Sequence, residues 1–407
     1  MELMPGYKRS DVGVIPDDWD AKPLGEIGDS LIGLTYRPSE VRKYGTLVLR
    51  SSNVQNGTLC FDDNVFVDAD IPERIMVRPG DILVCVRNGS RDLIGKSALI
   101  DERAVGMTFG AFMGVFRSED GQFLRHVFQS GIFKKQINEH LGATINQITN
   151  KSLNSFKVPL PPTDEERTEI ARVLSDVDAL LASLDQVIAK KRDLKQAAMQ
   201  QLLTGKTRLP GFSGDWDVVE FGDIATIRNE KILCSSTPEG TPCVELEFIG
   251  QANGRLLGYI EAKGASSKYS FKEGDVLFGR LRAYLRKHWR ATFDGVCSTE
   301  IWPLIPRNER LYGGYLHLLV QMNSFVDAAC VSYGTHMPRS DWAVLGKFEV
   351  QLPSVPEQAA ISASLSNMDA ELETLEKRLE KTRQLKQAMM QELLTGKTRL
   401  VEGGYDG

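Results

Sequence analysis

Leu194 to Leu209 reads LKQAAMQQLLTGKTRL, and Leu385 to Leu400 reads LKQAMMQELLTGKTRL. Two stretches this long and this alike mark an internal duplication, and the match extends towards the N-terminus of each copy. Ile170 answers Ile361 and Asp178 answers Asp369; Phe156, Val158, Leu160 and Pro161 answer Phe348, Val350, Leu352 and Pro353. Gly142 answers Gly334, Gly80-Asp81 with Leu83 answers Gly274-Asp275 with Leu277, and Asp18-Trp19-Asp20 with Gly25 answers Asp215-Trp216-Asp217 with Gly222. The chain is one unit of about two hundred residues used twice.

Each copy ends in a long helix. Thr163-x-x-Glu166 and Ser354-x-x-Glu357 fit the capping box, in which the glutamate turns back to an orphan N–H at the helix start. Pro356 is tolerated in the first turn. Apolar residues then step by three and four: Ile170, Leu174, Val177, Leu181, Leu184 and Ile188 in one helix, Ile361, Leu365, Met368, Leu372, Leu375 and Leu379 in the other. Such spacing is a coiled-coil seam. Lys191 and Thr382 interrupt the two seams at equivalent slots, and Gly205 and Gly396 stand where a left-handed cap ends a helix.

The segments ahead of the helices have another texture. Leu47-Val48-Leu49, Ile82 to Val86, Phe112 to Phe116, Val276-Leu277-Phe278 and Glu300 to Leu304 alternate with Gly, Pro, Asn and Asp turns and read as short strands. One helix is expected after each set, over Gln122–His140 and Leu311–Cys330. The fold class is α+β: two mainly β, mixed domains separated by two long helices. The expected segments are 1–162 for the first domain, 163–207 for its helix, 208–353 for the second domain, 354–400 for its helix, and a tail, 401–407.

Composition narrows the function. At 407 residues and 42% hydrophobic the chain can bury two cores without metal or disulfide staples. No apolar run reaches the roughly 18 residues of a membrane span, nor does the N-terminus carry a signal peptide, so the cytoplasm is expected and no membrane partner. Cys60, Cys85, Cys234, Cys243, Cys297 and Cys330 lie far apart without zinc spacing. The net charge of −5 excludes adhesion to DNA by overall positive charge. Its distribution matters more: carboxylates gather at Asp164, Glu165, Glu166, Glu169, Asp176, Asp178 and Asp185, whereas Val276 to Phe293 is basic.

Gly205-Lys206-Thr207 and Gly396-Lys397-Thr398 imitate a P-loop ending, but Gln200 and Gln391 occupy the required glycine position and these segments close helices instead of opening them. No glycine-rich S-adenosylmethionine fingerprint and no Asn/Asp-Pro-Pro-aromatic tetrad occurs, and His126, His140, His288, His317 and His336 show neither triad nor metal spacing. No catalytic residue or metal ligand is assigned.

What remains is a set of loops suited to DNA. GRLRAYLRKHW, Gly279 to Trp289, interleaves Arg280, Arg282, Arg286, Lys287 and His288 with Tyr284; either these contact phosphates and guanine edges or the segment is a solvated strand pair. Arg50, Ser51 and Asn53 follow one strand of the first copy, and Arg87, Asn88 and Arg91 follow another; Asn is a natural adenine reader, while Asn88-Gly89 is equally a plain turn. Thr144, Asn146, Asn150 and Lys151 in one copy and Thr335, His336 and Arg339 in the other occupy the same place with different chemistry, as recognition loops would, or as connectors.

The start, YKRSDVGVIPDDWDAKPLGEI, the junctions KVPLPPTDEERTEIARVLSDVD and EVQLPSVPEQAAISASLSNMD, and the doubled LLTGKTRL resemble the specificity subunits of type I restriction-modification enzymes over essentially the full length. The resemblance implies that the helices pack antiparallel about a pseudo-two-fold axis. It further implies a chain without catalysis or cofactor that reads an asymmetric bipartite double-stranded DNA target and binds two methyltransferase subunits and, through them, restriction subunits. S-adenosylmethionine, ATP and Mg2+ then belong to those partners. One departure stands out: the first junction has Thr163 and Glu166-Arg167 where the family usually shows Leu and Glu-Gln, which the second keeps as Glu357-Gln358. A helix over Asp164–Thr204 spans about 60 Å, enough to separate two recognition domains by the roughly 34 Å of one duplex turn. The rivals are a coiled-coil adaptor with carbohydrate- or protein-binding β domains and a standalone nucleotide-dependent enzyme.

Overall fold

The computed structural model describes residues 5–141, 146–331 and 338–400. The chain divides into two units, 1–184 with 378–407, and 185–377. Both long helices therefore contribute to both units: α1 is Asp164–Leu202 and α2 is Val355–Leu393.

Unit 1 is organised on four antiparallel strands, β1 (Asp29–Ile32), β2 (Ile82–Cys85), β3 (Ser97–Leu99) and β4 (Met113–Arg117), in the order β1-β4-β2-β3. Strand β2 is apolar throughout because both its faces are covered. Ile82 and Val84 enter a core with Phe116, Phe123 and Phe133, while Leu83 and Cys85, on the other face, enter a second core with Leu49, Phe109 and Val115. Thr46–Leu49 and Thr108–Phe109 form a parallel pair beneath that second core. Asp20–Pro23 pairs with Lys157–Leu160 and ties the start of the unit to the entry of α1.

Unit 2 repeats the plan with β5 (Ala225–Ile227), β6 (Val276–Gly279), β7 (His288–Arg290) and β8 (Ile301–Pro306), ordered β5-β8-β6-β7. Val276 and Phe278 face one core, with Tyr315 and Phe325, and Leu277 faces the other, with Phe271 and Trp289. A parallel pair, Pro242–Val244 with Gly295–Cys297, and an antiparallel one, Asp217–Glu220 with Glu349–Leu352, complete the correspondence.

The duplicated Gly-Asp has a specific task. Asp81 accepts from the Arg78 amide (2.8 Å) and holds Arg117 at the end of β4 through two bonds of 2.8 and 2.7 Å. Asp275 likewise accepts from the Lys272 amide (2.9 Å) and holds Arg228, just beyond β5, at 2.7 and 3.0 Å. Both carboxylates are almost fully buried, and each raises its arginine's pKa, mainly through that hydrogen bonding.

Two expectations are corrected. The single helix over Gln122–His140 is two, Gly121–Gln129 and Gly131–His140, because Ser130 turns extended (ψ 165°) and its hydroxyl donates to the Val127 carbonyl. The stretch Leu311–Cys330 divides similarly into Gly313–Leu319 and Asn323–Ala329 around an extended Met322.

The capping boxes are the second correction. Thr163 Oγ1 does accept from the Glu166 amide (3.3 Å), but Glu166 does not return to the helix start. It is fully buried and receives Arg399, which also donates to Asp18 and lies over Trp19. In unit 2 Glu357 receives Arg208 (2.5 and 2.6 Å) and the Trp216 indole N–H (3.1 Å), with Arg208 over that ring. The arginine closing each LLTGKTRL thus neutralises the glutamate opening the other helix. Arg167 and Gln358, where the junctions differ, keep a common contact: Arg167 donates to the Pro161 carbonyl and Asp120, and Gln358 donates to the Pro353 carbonyl and accepts from the Tyr312 amide. Asp120 and Tyr312 are the residues that precede the helices Gly121–Gln129 and Gly313–Leu319.

Within each unit the helix pairing is antiparallel. In unit 1, Glu166 meets Arg399 and Asp178 meets Lys386 (2.6 Å); in unit 2, Lys191 meets Glu371 (2.7 Å) and Lys195 meets Asp369 (2.5 Å). Ile170 and Leu174 join the unit 1 core with Met390, Leu393 and Leu394, whereas Ile361, Leu365 and Met368 join that of unit 2 with Leu202 and Leu203. Leu184, Ile188, Leu372 and Leu379 are also buried, and Val177, Leu181 and Leu375 are half-buried. Thr382 bonds its own helix at the Arg378 carbonyl. Gly205 and Gly396 are left-handed (φ +67° and +66°), and a Cβ on Gly396 would lie 2.5 Å from Pro16, so glycine is required there on two counts.

Candidate nucleic-acid interface

Where the chain leaves β2, three backbone hydrogen bonds build a frame: the Val86 amide to the Phe112 carbonyl (3.1 Å), the Ile148 amide to Val86 (2.8 Å) and the Asn88 amide to Asn146 (3.4 Å). Where it leaves β6 the same frame recurs: Arg280 to Glu300 (2.9 Å), Ser340 to Arg280 (2.8 Å) and Arg282 to Pro338 (2.9 Å). At its centre stands one antiparallel bridge per unit, Arg87↔Gln147 and Leu281↔Arg339. Position is held while side chains change.

The frame gathers part of the expected set in unit 1. Arg87 is exposed, with its guanidinium 5.3 Å from the centre of the Phe112 ring. Asn88 reaches Ser51 Oγ (3.5 Å), and Asn146 donates to the Gly89 carbonyl (3.2 Å). Arg50 is paired with Asp63 (2.8 Å), Arg91 caps the Asn138 and Leu141 carbonyls, Asn150 donates to the Ser30 carbonyl (2.8 Å), and Lys151 is exposed. Asn53 is a correction: fully buried, it accepts from the Arg50 amide (2.9 Å) and donates to the Cys60 carbonyl (3.0 Å), so it shapes the turn and offers no edge to a base. Thr144 lies outside the described residues.

In unit 2, Gly279 to Trp289 forms a hairpin with β6 and β7 as its arms. Arg282 and Arg286 are both left-handed (φ +54° and +51°) on either side of the turn Ala283–Leu285, and Tyr284 projects from it, 56% exposed. Each such backbone costs about 1–2 kcal/mol outside glycine, and strain of this kind concentrates where side chains are aimed for a task. Arg280 lies over Trp302 (5.0 Å) at the rim of a cavity of about 650 Å³ that includes Trp342 and Asn229. Arg286 reaches the Gln321 carbonyl (3.5 Å) and Lys287 the Leu246 carbonyl (2.8 Å); Arg339 is held by Glu300 through contacts of 2.8 to 3.1 Å. Thr335 and His336 lie outside the described residues.

His288 is the other correction. It is buried and its Nδ1 stands 3.0 Å from Nε2 of His317, so it offers no edge to a base. Burial, then Lys195 and Arg286, pull its pKa down to about 4; burial, then His288, pull His317 to about 3. A histidine that stays neutral when folded but takes a proton near pH 6.5 when unfolded contributes stability that is complete above that pH and is lost as the pH falls towards 4. The urea midpoint should therefore drop between pH 7 and pH 5, and a His288→Gln/His317→Gln variant should show a shallower drop. Identical slopes would place the acid sensitivity elsewhere, for example at buried His126.

Phe112 and Glu300 entered the sequence reading only as first residues of short strands, and Gln147 only as part of the loop Gly142 to Lys151, because the repeat shows no identity around them that would assign a role.

A family model described as the type I restriction modification DNA specificity domain matches residues 16–190 and again 213–384. The EcoKI type I specificity subunit of Escherichia coli is 26% identical over 70% of this chain and 65% of its own length. A putative type I specificity subunit, MjaX, of Methanocaldococcus jannaschii is 24% identical over 97% of both chains. Other matches span 44% and 49% of their relatives' lengths. Among solved structures, the type I restriction-modification S subunit of M. genitalium superposes with a TM-score of 0.60 at 16% identity, covering 97% of this chain and 98% of that one, which shows a common fold.

Proposed function

Because the chain belongs to the type I restriction modification DNA specificity family, we propose that it is the sequence-reading, non-catalytic subunit of a type I restriction-modification enzyme. The observation that carries this reading is the hydrogen-bonded frame, built twice and furnished with different side chains each time. A reader of two dissimilar half-sites needs that combination: constant scaffold, variable edge. The recognition modules are 1–162 and 208–353, the segments 163–207 and 354–400 are the helical arms, and 401–407 is a tail. Arg50, Ser51, Arg87, Asn88, Arg91, Asn146, Asn150 and Lys151 line one DNA-facing edge, and Arg280, Arg282, Tyr284, Arg286, Lys287 and Arg339 the other. No helix among the described residues is long and apolar enough to cross a membrane. The partners are double-stranded DNA, two methyltransferase subunits and, through these, restriction subunits, which handle S-adenosylmethionine, ATP and Mg2+; the site of action is the cytoplasm.

Exchanging Gly28–Phe156 for the same region of another family member should change one half of the methylated motif and leave the other intact, because this region holds the whole of one core and the larger part of a second. Sequencing of methylated adenines in cells expressing the complete system reads the result. A change in both halves would overturn the modular assignment.

A further inference from the structure

We propose that three corresponding positions decide specificity in each unit: Arg87, Gln147 and Phe112 in unit 1, and Leu281, Arg339 and Glu300 in unit 2. The inference deepens the DNA-reading assignment and rests on it. The correspondence comes from the hydrogen-bonded frame, in which Phe112 and Glu300 give the first carbonyl and the two bridges occupy one place.

The chemistry at this place is exchanged between units. In unit 1 the arginine stands on the outgoing strand, exposed, braced by the exposed ring of Phe112, and among the described residues no carboxylate lies within ion-pair distance of it. Its five donors are uncommitted to any carboxylate and its guanidinium lies over the ring, an arrangement that suits a two-bond contact with guanine O6 and N7. Gln147, directly across, carries the amide that suits adenine N6 and N7. In unit 2 the outgoing strand offers Leu281, and the arginine has moved to the returning strand as Arg339. There Glu300 replaces the aromatic brace: both its oxygens engage Nε and Nη2, which locks the fork and leaves Nη1 and the outer N–H groups facing away from the pair. Each half-site therefore contains a purine read here, with guanine opposite Arg87 and opposite Arg339.

The test uses the full chain expressed with its methyltransferase partner and the methylated motif read by sequencing. Arg87→Ala should relax one guanine in one half-site, with methylation of the substituted sites rising roughly 10- to 100-fold relative to the original. Arg339→Ala should relax one guanine in the other half-site only. Arg87→Lys keeps the charge and loses the two-bond fork, so it should relax the same base as Arg87→Ala. A motif unchanged by all three variants, with binding merely weaker and its salt slope lowered by about one in the two alanine variants, would make these arginines phosphate contacts and overturn the proposal. Loss of specificity in both half-sites from one substitution would overturn it too. Failure of the DNA-reading assignment looks different: the unsubstituted chain would then direct methylation to no defined motif at all.

Discussion

Replacing Asp81 by alanine should lower the free energy of unfolding by about 3–5 kcal/mol, the usual range when one partner of a buried ion pair is removed and the other is left uncompensated. Asp81 is 2% exposed and Arg117 loses both of its bonds to the carboxylate, while the Arg78 amide loses its acceptor. A urea titration with an unchanged slope measures the loss. Asp81→Asn should recover part of it, because an amide oxygen can still cap the Arg78 amide. Asp275→Ala should reproduce the effect at the Arg228 site. A loss below about 1 kcal/mol in both variants would mean that water replaces the carboxylates readily and that the duplicated Gly-Asp is held for its turn alone.

A comparable loss, about 3 kcal/mol or more, is expected for Arg399→Ala, since Glu166 is completely buried and no other cation among the described residues pairs with it. Adding Glu166→Gln should restore a large part of the stability at pH 7. If the double variant were as unstable as Arg399→Ala, the loss would come from the contacts of Arg399 with Asp18 and Trp19 and not from the buried charge.

What the sequence made legible follows the range of the interaction. Ile82 to Val86 could be read as a strand because its run of apolar residues is a local pattern, and Gly205 and Gly396 as helix ends because a left-handed cap is a local requirement. The seams were equally visible in residues three and four apart. Glu166 and Glu357 show where local rules stop: Thr-x-x-Glu describes a capping box and also a carboxylate awaiting an arginine far along the chain, and no spacing rule separates the two. Asn53 failed for a related reason, since an asparagine after a strand looks the same whether it faces a base or bonds the Cys60 carbonyl. At the candidate interface the basic residues announced themselves, but their braces did not. Phe112 and Glu300 acquire meaning only through backbone hydrogen bonds that align the two copies.

The pairing of Glu166 with Arg399 also imposes an order of events on synthesis. These residues are 233 positions apart, so at the roughly 5–20 residues per second of translation the carboxylate waits on the order of ten to fifty seconds for its cation to leave the ribosome. Met390, Leu393 and Leu394 arrive equally late to the core that begins at Ile15. Residues 185–377 have by then all been made, and they hold the Arg208 and Glu357 lock within themselves. The half of the protein that is synthesised first is therefore the half that is finished last, and until its final helix turn is released its apolar face is the natural target for a chaperone.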